Sequence, residues 1–469
     1  MFKSRARERR IFTNRKRMRP RSSLFSVIAS FMLVFLVLEL LTRIFVDLSG
    51  DRSQFARANT KSDIIDAYKL KFVKQEVDGD RAYQDTTLKA KPSLSVGYQL
   101  LGSQENEHWQ INSAGFRDRE NIPLAKPQDE IRIFLLGGST AFGYGSPSNQ
   151  ATISEYLEQR LQKRLEQQKV SPQLYKPDIL PFDKVEKQKY LAKPSKIKSG
   201  NYRVVNAAVP GYASGNELAQ VALQILKYKP DLIVILDGYE DFMLTSDREA
   251  VQSPQINPDE QNQPTSFVDY VSHVIEPIEN KSYLAKVAQD KWLNNKQKND
   301  KQDFVLYEKT SNLVHYLPPN KEELQKRVDL YIDRQKQILS LSAAARIPLV
   351  VAMQPEITGR NPSQLTDAEG KIATDLGRTY IKQVRNSYPT LIEATQQLAK
   401  AFPKNIKVLD LYQLTEKYPS PSFIDPIHLN EAANQKVAEQ LYYAISSLPK
   451  MQLVPTEAKP SKAVYRKSY

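Results

Sequence analysis

The chain has 469 residues, of which 41% are hydrophobic, so it can bury a large core and exceeds one average domain. It contains no cysteine, which excludes disulfides, thiolate nucleophiles and zinc sites built on cysteine. The formal net charge is +14, but residues 1–22 carry ten Lys or Arg and one Glu, and residues 448–469 carry five and one. Because the rest of the chain is nearly neutral, no basic stripe on a folded domain is indicated, and we expect no nucleic-acid partner.

The basic segment 1–22 is followed by a long apolar run at residues 24–46. As a helix this run would span about 35 Å, enough for the hydrocarbon core of a bilayer. The run therefore predicts a transmembrane anchor, and the Lys/Arg cluster before it predicts a cytoplasmic N-terminal tail. A cleaved signal peptide is the competing interpretation, but the long basic lead and the lack of a small-x-small site after Val46 favour a retained anchor.

Residues 47–107 contain short helical patterns, such as 62–72, and are interpreted as a stalk between the anchor and the body. Two insertions interrupt the body that follows. The Lys- and Pro-rich segment 169–200 is expected to be a solvated loop, whereas 243–319 is as compatible with a lid or substrate wall as with a loop. The basic residues at 448–469 are predicted to form a disordered tail.

Between residues 108 and 447, short apolar runs alternate with helical periodicity. This alternation predicts right-handed crossovers and a parallel sheet covered by helices on both faces. The strand candidates are 131–136, 202–209, 232–236, 348–353 and 406–411, and the helical candidates are about 152–168, 215–228, 321–345, 378–402 and 430–447.

The first strand candidate runs directly into Gly137, Gly138 and Ser139. Two glycines allow a sharp turn and a close approach of the backbone, and the carboxyl edge of a parallel sheet is where open α/β folds bind ligands. By itself this pattern also fits a plain turn or an anion site. It gains weight from Asp425 and His428, nearly three hundred residues later, because a serine hydroxyl becomes a useful nucleophile only when a base takes its proton.

His428 is the best candidate for that base. Asp425 lies three residues before it, on a turn leading into a predicted helix, where a carboxylate can orient the imidazole and stabilise its cation. His273 and His315 lie in the longer insertion and are expected to be surface or packing residues, and His108 has no such setting.

Four blocks in this order resemble the SGNH (GDSL-like) hydrolases. They are Gly137-Gly138-Ser139-Thr140, Asn206-Ala-Ala-Val-Pro-Gly211, Gly238-Tyr239-Glu240-Asp241, and Asp425 with His428. The segment Asn-Ser-Ala-Gly-Phe-Arg-Asp at 112–118 resembles a lead-in of membrane-anchored bacterial members. The resemblance covers roughly residues 108–447. It implies a flavodoxin-like three-layer α/β fold and ester hydrolysis at Ser139, with neither a metal nor another cofactor.

The resemblance also implies an oxyanion hole made by the backbone N–H groups of Ser139 and Gly211 and by an Asn side chain. The Asn position is occupied here by Glu240, and an ionised carboxylate cannot donate a hydrogen bond. Glu240 could be protonated through burial and its acidic neighbours, Asn216 could supply the donor instead, or the chemistry could be altered or lost. The carboxylates of Asp237, Glu240 and Asp241 could also hold a hard cation.

The interpretation that follows is a membrane-anchored, extracytoplasmic serine esterase. It would cleave acyl esters through an acyl-enzyme on Ser139, on a polysaccharide or a lipid of the cell surface. Two alternatives remain open at this point: an acyltransferase acting on cell-surface or exopolysaccharide, and a non-catalytic module for envelope or polysaccharide assembly.

The predicted orientation can be tested with reporter fusions. A reporter that is active only outside the cytoplasm, fused after Leu448, should give a signal, because the positive charges at 1–22 are predicted to hold the N-terminus inside. A cytoplasm-active reporter at the same position should be silent. The opposite pair of signals would show that the orientation is wrong.

Overall fold

The structure is a computed structural model and describes residues 64–73, 87–93, 96–246 and 305–458. The predicted tail at 1–22, the predicted anchor at 24–46 and most of the insertion at 243–319 lie outside these residues. Within the described ranges, no helix combines the length and the apolar character needed to cross a bilayer.

The described residues form twelve strands and eight α-helices. The strands are β1 (Leu70–Phe72), β2 (Leu88–Ser93), β3 (Gly97–Leu100), β4 (Gln104–Glu105), β5 (Gln110–Ile111), β6 (Glu130–Gly137), β7 (Ile179–Leu180), β8 (Asn201–Asn206), β9 (Leu232–Asp237), β10 (Leu349–Met353), β11 (Ile406–Asp410) and β12 (Thr456–Glu457). The helices are α1 (Ser139–Phe142), α2 (Ile153–Val170), α3 (Lys184–Leu191), α4 (Ser214–Gln220), α5 (Tyr239–Met243), α6 (Lys321–Ala344), α7 (Asp367–Ala401) and α8 (Glu431–Ser446).

The central sheet has five strands in the order β11-β10-β9-β6-β8, and all of its pairs are parallel. Counted along the chain this is the 2-1-3-4-5 order of flavodoxin-like folds. Every residue of β9 and β10 is buried, which explains why these strands appear in the sequence as continuous apolar runs. The predicted α/β class and all five predicted strands are confirmed.

Helices cover both faces of the sheet. α2 packs against α8, and α6 packs against α4 and α7, as right-handed crossovers from this strand order require. Several helices begin where a polar side chain caps the first turn: the side chain of Asn320 accepts from the Glu323 N–H at 2.9 Å and that of Asn430 from the Ala433 N–H at 3.0 Å.

The helix predicted at 378–402 is longer than expected. α7 begins at Asp367, and Gly377 interrupts it with a φ of +79°. A residue in this left-handed conformation breaks the helical repeat, so α7 consists of two helical pieces that meet at a kink.

The stalk prediction is wrong for the described part of residues 64–107. β1, β2 and β3 form a small sheet of their own, and Tyr68, Leu88 and Tyr98 belong to the same core as the central sheet. The indole N–H of Trp109 donates to the Ala67 carbonyl at 2.9 Å. A detached stalk would leave these apolar groups in water, so they fold onto the body instead.

The predicted disordered tail begins too early. Residues Pro449–Met451 form a 3-10 turn, and β12 pairs in parallel with β7, inside the 169–200 insertion. The expectation of a wholly irregular loop for that insertion is therefore also too simple. Its helix α3 nevertheless buries none of its residues, in keeping with the expected solvated character.

Truncations can test the role of the N-terminal sheet. A variant that begins at Thr60 should fold, whereas one that begins at Leu101 loses Tyr68, Leu88, Tyr98 and other buried side chains. Each such side chain is worth about 1.5–3 kcal/mol, against a total stability of about 5–15 kcal/mol. We expect the shorter variant to show no cooperative thermal transition in circular dichroism. Equal transition temperatures for both variants would contradict the assignment.

Candidate active site

The site lies where the strand order reverses. β6 is flanked by β8 and β9, so the chain leaves β6 in one direction and later returns on its other side. This switch point opens a crevice at the carboxyl ends of β6 and β9, where α/β folds place ligands. Ser139 follows β6 as the first residue of α1, and Glu240 follows β9 in α5.

The turn between β6 and Ser139 requires glycine. Gly137 has a φ of +142°, and a Cβ there would come within 2.1 Å of the Leu236 carbonyl oxygen. Its own carbonyl accepts from the Val209 N–H at 3.0 Å, which ties the turn to the loop after β8. The backbone before Ser139 is therefore held on one side by the end of β9 and on the other by the loop after β8.

Ser139, His428 and Asp425 form a hydrogen-bonded chain. The Ser139 Oγ lies 2.7 Å from His428 Nε2, and His428 Nδ1 lies 2.5 Å from Asp425 Oδ2. The other oxygen of Asp425 accepts from the backbone N–H groups of Ile427 at 3.0 Å and His428 at 2.8 Å. The three residues predicted to form a triad are thus together, although Ser139 and His428 are 289 positions apart.

Asp425 carries the negative charge that the hydrogen-bonded series from Ser139 through His428 requires. Burial alone would raise its pKa, but the nearby His428 and the two backbone N–H donors hold the pKa below its ordinary value. Asp425 therefore stays ionised at neutral pH. It fixes the tautomer in which Nδ1–H donates to it and leaves Nε2 free to accept from the serine hydroxyl.

The glycine block meets the nucleophile at the same edge. Gly211 has a φ of +83°, and the described residues offer no acceptor to its N–H or to that of Ser139. The preceding Pro210 carbonyl accepts from the Tyr98 hydroxyl at 2.7 Å, so the N-terminal sheet holds this loop in place. Two unpaired N–H groups are what an oxyanion hole needs.

Glu240 lies against the nucleophile, where the resemblance places an Asn. Its Oε1 is 3.5 Å from the Ser139 Oγ, and a Cβ on Gly138 would come within 2.8 Å of that same oxygen. Its Oε2 is buried without a partner among the described residues. Burial, and then the charges of Asp241 and Asp237, raise the pKa of Glu240 to about 8, so the carboxyl is mainly protonated at neutral pH and can donate.

Three further buried carboxyls lie near Glu240. Asp237 accepts from the Tyr331 hydroxyl at 2.8 Å and the Gln335 amide at 3.0 Å, and burial raises its pKa to about 7. Asp241 accepts from the Ser214 N–H at 2.9 Å and faces Arg334 at 3.3 Å. Glu217 on α4 is fully buried, and its pKa is raised well above the ordinary value by burial and by Asp237.

These carboxyls are not arranged as a cation site. No group of three His, Asp or Glu side chains in the described ranges is placed to hold a metal ion. Asp237 and Asp241 are satisfied by protein donors instead, which does not favour the hard-cation alternative.

The side chain of Asn216 is engaged elsewhere, so its contacts do not support it as a replacement oxyanion donor. Its amide donates to the Val96 carbonyl at 2.9 Å, and its side-chain oxygen accepts from the Ala213 N–H at 3.2 Å at the start of α4. Among the other histidines, His108 contacts Glu107 and the Pro147 carbonyl, His315 lies in the 3-10 helix Thr310–Tyr316, and His273 is outside the described residues.

Arg117, in the lead-in segment 112–118, supports the end of α1, a role that the sequence did not indicate. Arg117 is buried, and its Nη1 donates to the carbonyls of Phe142 at 3.0 Å and Gly143 at 2.8 Å. Its Nη2 donates to the Tyr68 hydroxyl at 2.7 Å. The guanidinium thus satisfies the carbonyls at the end of the helix that carries the nucleophile.

A cavity of about 240 Å³ opens beside the triad, on the side of Asp425 and His428. Residues 305–313, at the end of the longer insertion, form part of its wall. The lining residues are Ile65, Lys69, Tyr144, Tyr239, Val305, Leu306, Glu308, Thr310, Leu313, Asp425, Pro426, Ile427 and His428.

No protein-family model and no curated protein matches the chain. Solved structures similar to it include a protein assigned to the G-D-S-L lipolytic family from Desulfitobacterium hafniense DCB-2, with 10% identity, a TM-score of 0.31, and coverage of 67% of this chain and 98% of that one. The acetyl xylan esterase AlAXEase has 11% identity, a TM-score of 0.32, and coverage of 67% and 100%. The lipase/acylhydrolase from Enterococcus faecalis has 13% identity, a TM-score of 0.32, and coverage of 70% and 99%.

One of these three structures is described as a G-D-S-L family protein, and the other two are described as an esterase and a lipase/acylhydrolase. At such identities and TM-scores the activity of this chain has to be inferred from its own site.

The protonation of Glu240 predicts an alkaline loss of activity. Below a pH of about 8 the neutral acid can donate to an oxyanion, and as pH rises through about 8 the carboxylate forms and repels it. We expect kcat to fall as pH rises across this range. Glu240→Gln and Glu240→Asn should remove the decline. Above a pH of about 8, Asn should raise the rate by at most about a hundred- to a thousandfold, which is the worth of one oxyanion donor.

The buried carboxyl of Glu217 offers a control for this experiment. Glu217→Gln removes a neighbouring acid without changing the proposed donor, so the decline should remain. A Glu240→Asn protein that loses an existing activity would contradict the donor role and give the carboxylate a role of its own.

Proposed function

We propose that the chain is a serine ester hydrolase that works through an acyl-enzyme on Ser139. The observation that carries this proposal is the continuous chain from the Ser139 Oγ through His428 to Asp425, with distances of 2.7 and 2.5 Å. The unpaired N–H groups of Ser139 and Gly211 and the neutral acid of Glu240 support it, since together they supply donors for a tetrahedral oxyanion.

In this proposal, ester cleavage takes place in two steps, formation of the acyl-enzyme and its hydrolysis. The Ser139 Oγ attacks the ester carbonyl while His428 Nε2 takes its proton, and the carbonyl oxygen becomes the oxyanion. When the intermediate collapses, the C–O bond to the alcohol breaks and His428 returns the proton to the leaving oxygen. Water then attacks the acyl-enzyme with His428 as base, and the carboxylic acid leaves as Ser139 regains its proton.

The substrate and location complete the proposal. With an anchor at 24–46 and a cytoplasmic N-terminus, the enzyme would act outside the cytoplasm on acyl esters of a cell-surface polysaccharide or lipid. The cavity beside His428 lies on the side of the base that protonates the leaving oxygen, so it suits the alcohol half of the ester.

A second candidate is a non-catalytic module that keeps the fold for binding. Two observations favour it: Ser139 is fully buried, and the third oxyanion position carries a carboxyl group. The two candidates differ in one property, namely whether the Ser139 hydroxyl is activated toward electrophiles.

Substitutions in the triad test the hydrolase proposal. Ser139→Ala and His428→Ala should each lower kcat for a short-chain aryl ester by at least about a thousandfold and should abolish labelling by a fluorophosphonate probe. Since the two groups act as a unit, the double variant should be scarcely worse than either single variant. The measurements are steady-state turnover and detection of the labelled protein.

The control is His108→Ala, which removes a histidine that lies outside the triad. It should keep both turnover and labelling. If the wild-type chain is neither labelled nor active, the binding-module candidate is favoured. Labelling of the Ser139→Ala variant at wild-type level would remove the serine mechanism.

A further inference from the structure

The ring of Tyr144 is stacked on the imidazole of His428. The ring centroids are 4.4 Å apart, and the two planes differ by 21°. We propose that Tyr144 is a positioning residue that holds the imidazole in line with Ser139 and stabilises its cationic form. This inference rests on the proposed serine mechanism.

Tyr144 is tied to the nucleophile through the backbone. Its N–H donates to the Ser139 carbonyl at 3.0 Å, immediately after Gly143 has ended α1 in a left-handed conformation with a φ of +87°. A Cβ on Gly143 would meet Thr152 at 2.9 Å, so the turn that aims Tyr144 depends on glycine. The nucleophile and the stacking ring therefore belong to one rigid six-residue segment, 139–144.

The ring is also fixed from its outer side. Tyr144 is buried, and the ring of Tyr68 lies against it with centroids 5.1 Å apart. Tyr68 in turn accepts from Arg117, which holds the carbonyls at the end of α1. The stacking surface is thus supported by the N-terminal segment and by the lead-in segment together.

The stack restricts the one motion that the hydrogen bonds leave free. Bonds at Nδ1 and Nε2 both lie in the imidazole plane and define an axis through the ring. The imidazole can tilt about this axis with little change in either distance, and a parallel ring at 4.4 Å blocks that tilt on one side. Nε2 is thereby kept pointing at the Ser139 Oγ.

The stack also stabilises the positively charged form of His428. His428 becomes an imidazolium each time it takes a proton, and the face of an aromatic ring attracts a cation. In a desolvated site this attraction is worth about 3- to 30-fold in rate. A leucine would keep an apolar side chain at this position without supplying the π face, whereas phenylalanine would supply it.

The test compares Tyr144→Leu with Tyr144→Phe. The Leu variant should lose about 3- to 30-fold in kcat, and the acidic limb of its kcat/KM profile should move to lower pH, because the cation is no longer stabilised. The Phe variant should restore most of kcat and the wild-type profile. Tyr144 also lines the cavity, so a change in KM alone would reflect packing and would contradict the inference.

The shift in the profile can be assigned because the surrounding charges are unchanged. Among the described residues, the titratable groups around His428 and its cavity are Asp425 on its own turn, Glu240 and Tyr239 on α5, Lys69 after the N-terminal helical residues, and Glu308 before α6. All of them remain in both variants. As a further control, Tyr443→Leu removes an exposed tyrosine and should leave the profile as it is.

A measurement that needs no activity separates this inference from the proposed function. The chain has four histidines, so the His428 ring signals can be assigned by comparison with His428→Ala in NMR of ¹⁵N-histidine-labelled protein. The midpoint of their titration should move to lower pH in Tyr144→Leu and not in Tyr144→Phe. If wild-type protein is not labelled by the fluorophosphonate but this shift occurs, the hydrolase proposal fails and the stacking role stands. If wild-type protein is labelled and the Leu variant titrates like wild type, the stacking role is refuted.

Discussion

The order of the five parallel strands is the constraint on which the site depends. With β6 between β8 and β9, the loops that leave these three strands must converge at one edge of the sheet. Ser139, Gly211 and Glu240 each come from a different one of these loops. Asp425 and His428 arrive from the turn before α8, so no local segment could assemble the site.

Burial of carboxyl groups gives this site its particular chemistry. Asp237, Glu240, Asp241 and Glu217 lie close together in the interior, and Arg334 is the cation that faces one of them. Ionising all four in such surroundings would cost more than the fold can offset, so protons are retained there. A neutral Glu240 can then donate a hydrogen bond, as an Asn would, but only over a limited range of pH.

The N-terminal sheet is part of the site's support. Tyr98 holds the carbonyl of Pro210 before the glycine of the oxyanion loop, and Tyr68 contacts both Arg117 and Tyr144. Residues that the sequence predicted to be a stalk thus contact the two loops that flank Ser139.

The sequence by itself determined the central strands, the helices between them and the candidate triad residues, because burial on both faces and turn chemistry leave local patterns in the chain. Only the tertiary structure decided how the described part of residues 64–107 packs, which carboxyls are buried together, and that Tyr144 stacks on His428. These features depend on distances between segments far apart in sequence. Neither the raised pKa of Glu240 nor the stacking of Tyr144 on His428 produces a pattern in the sequence. Each arises from groups that the fold places next to a side chain, and not from its neighbours along the chain.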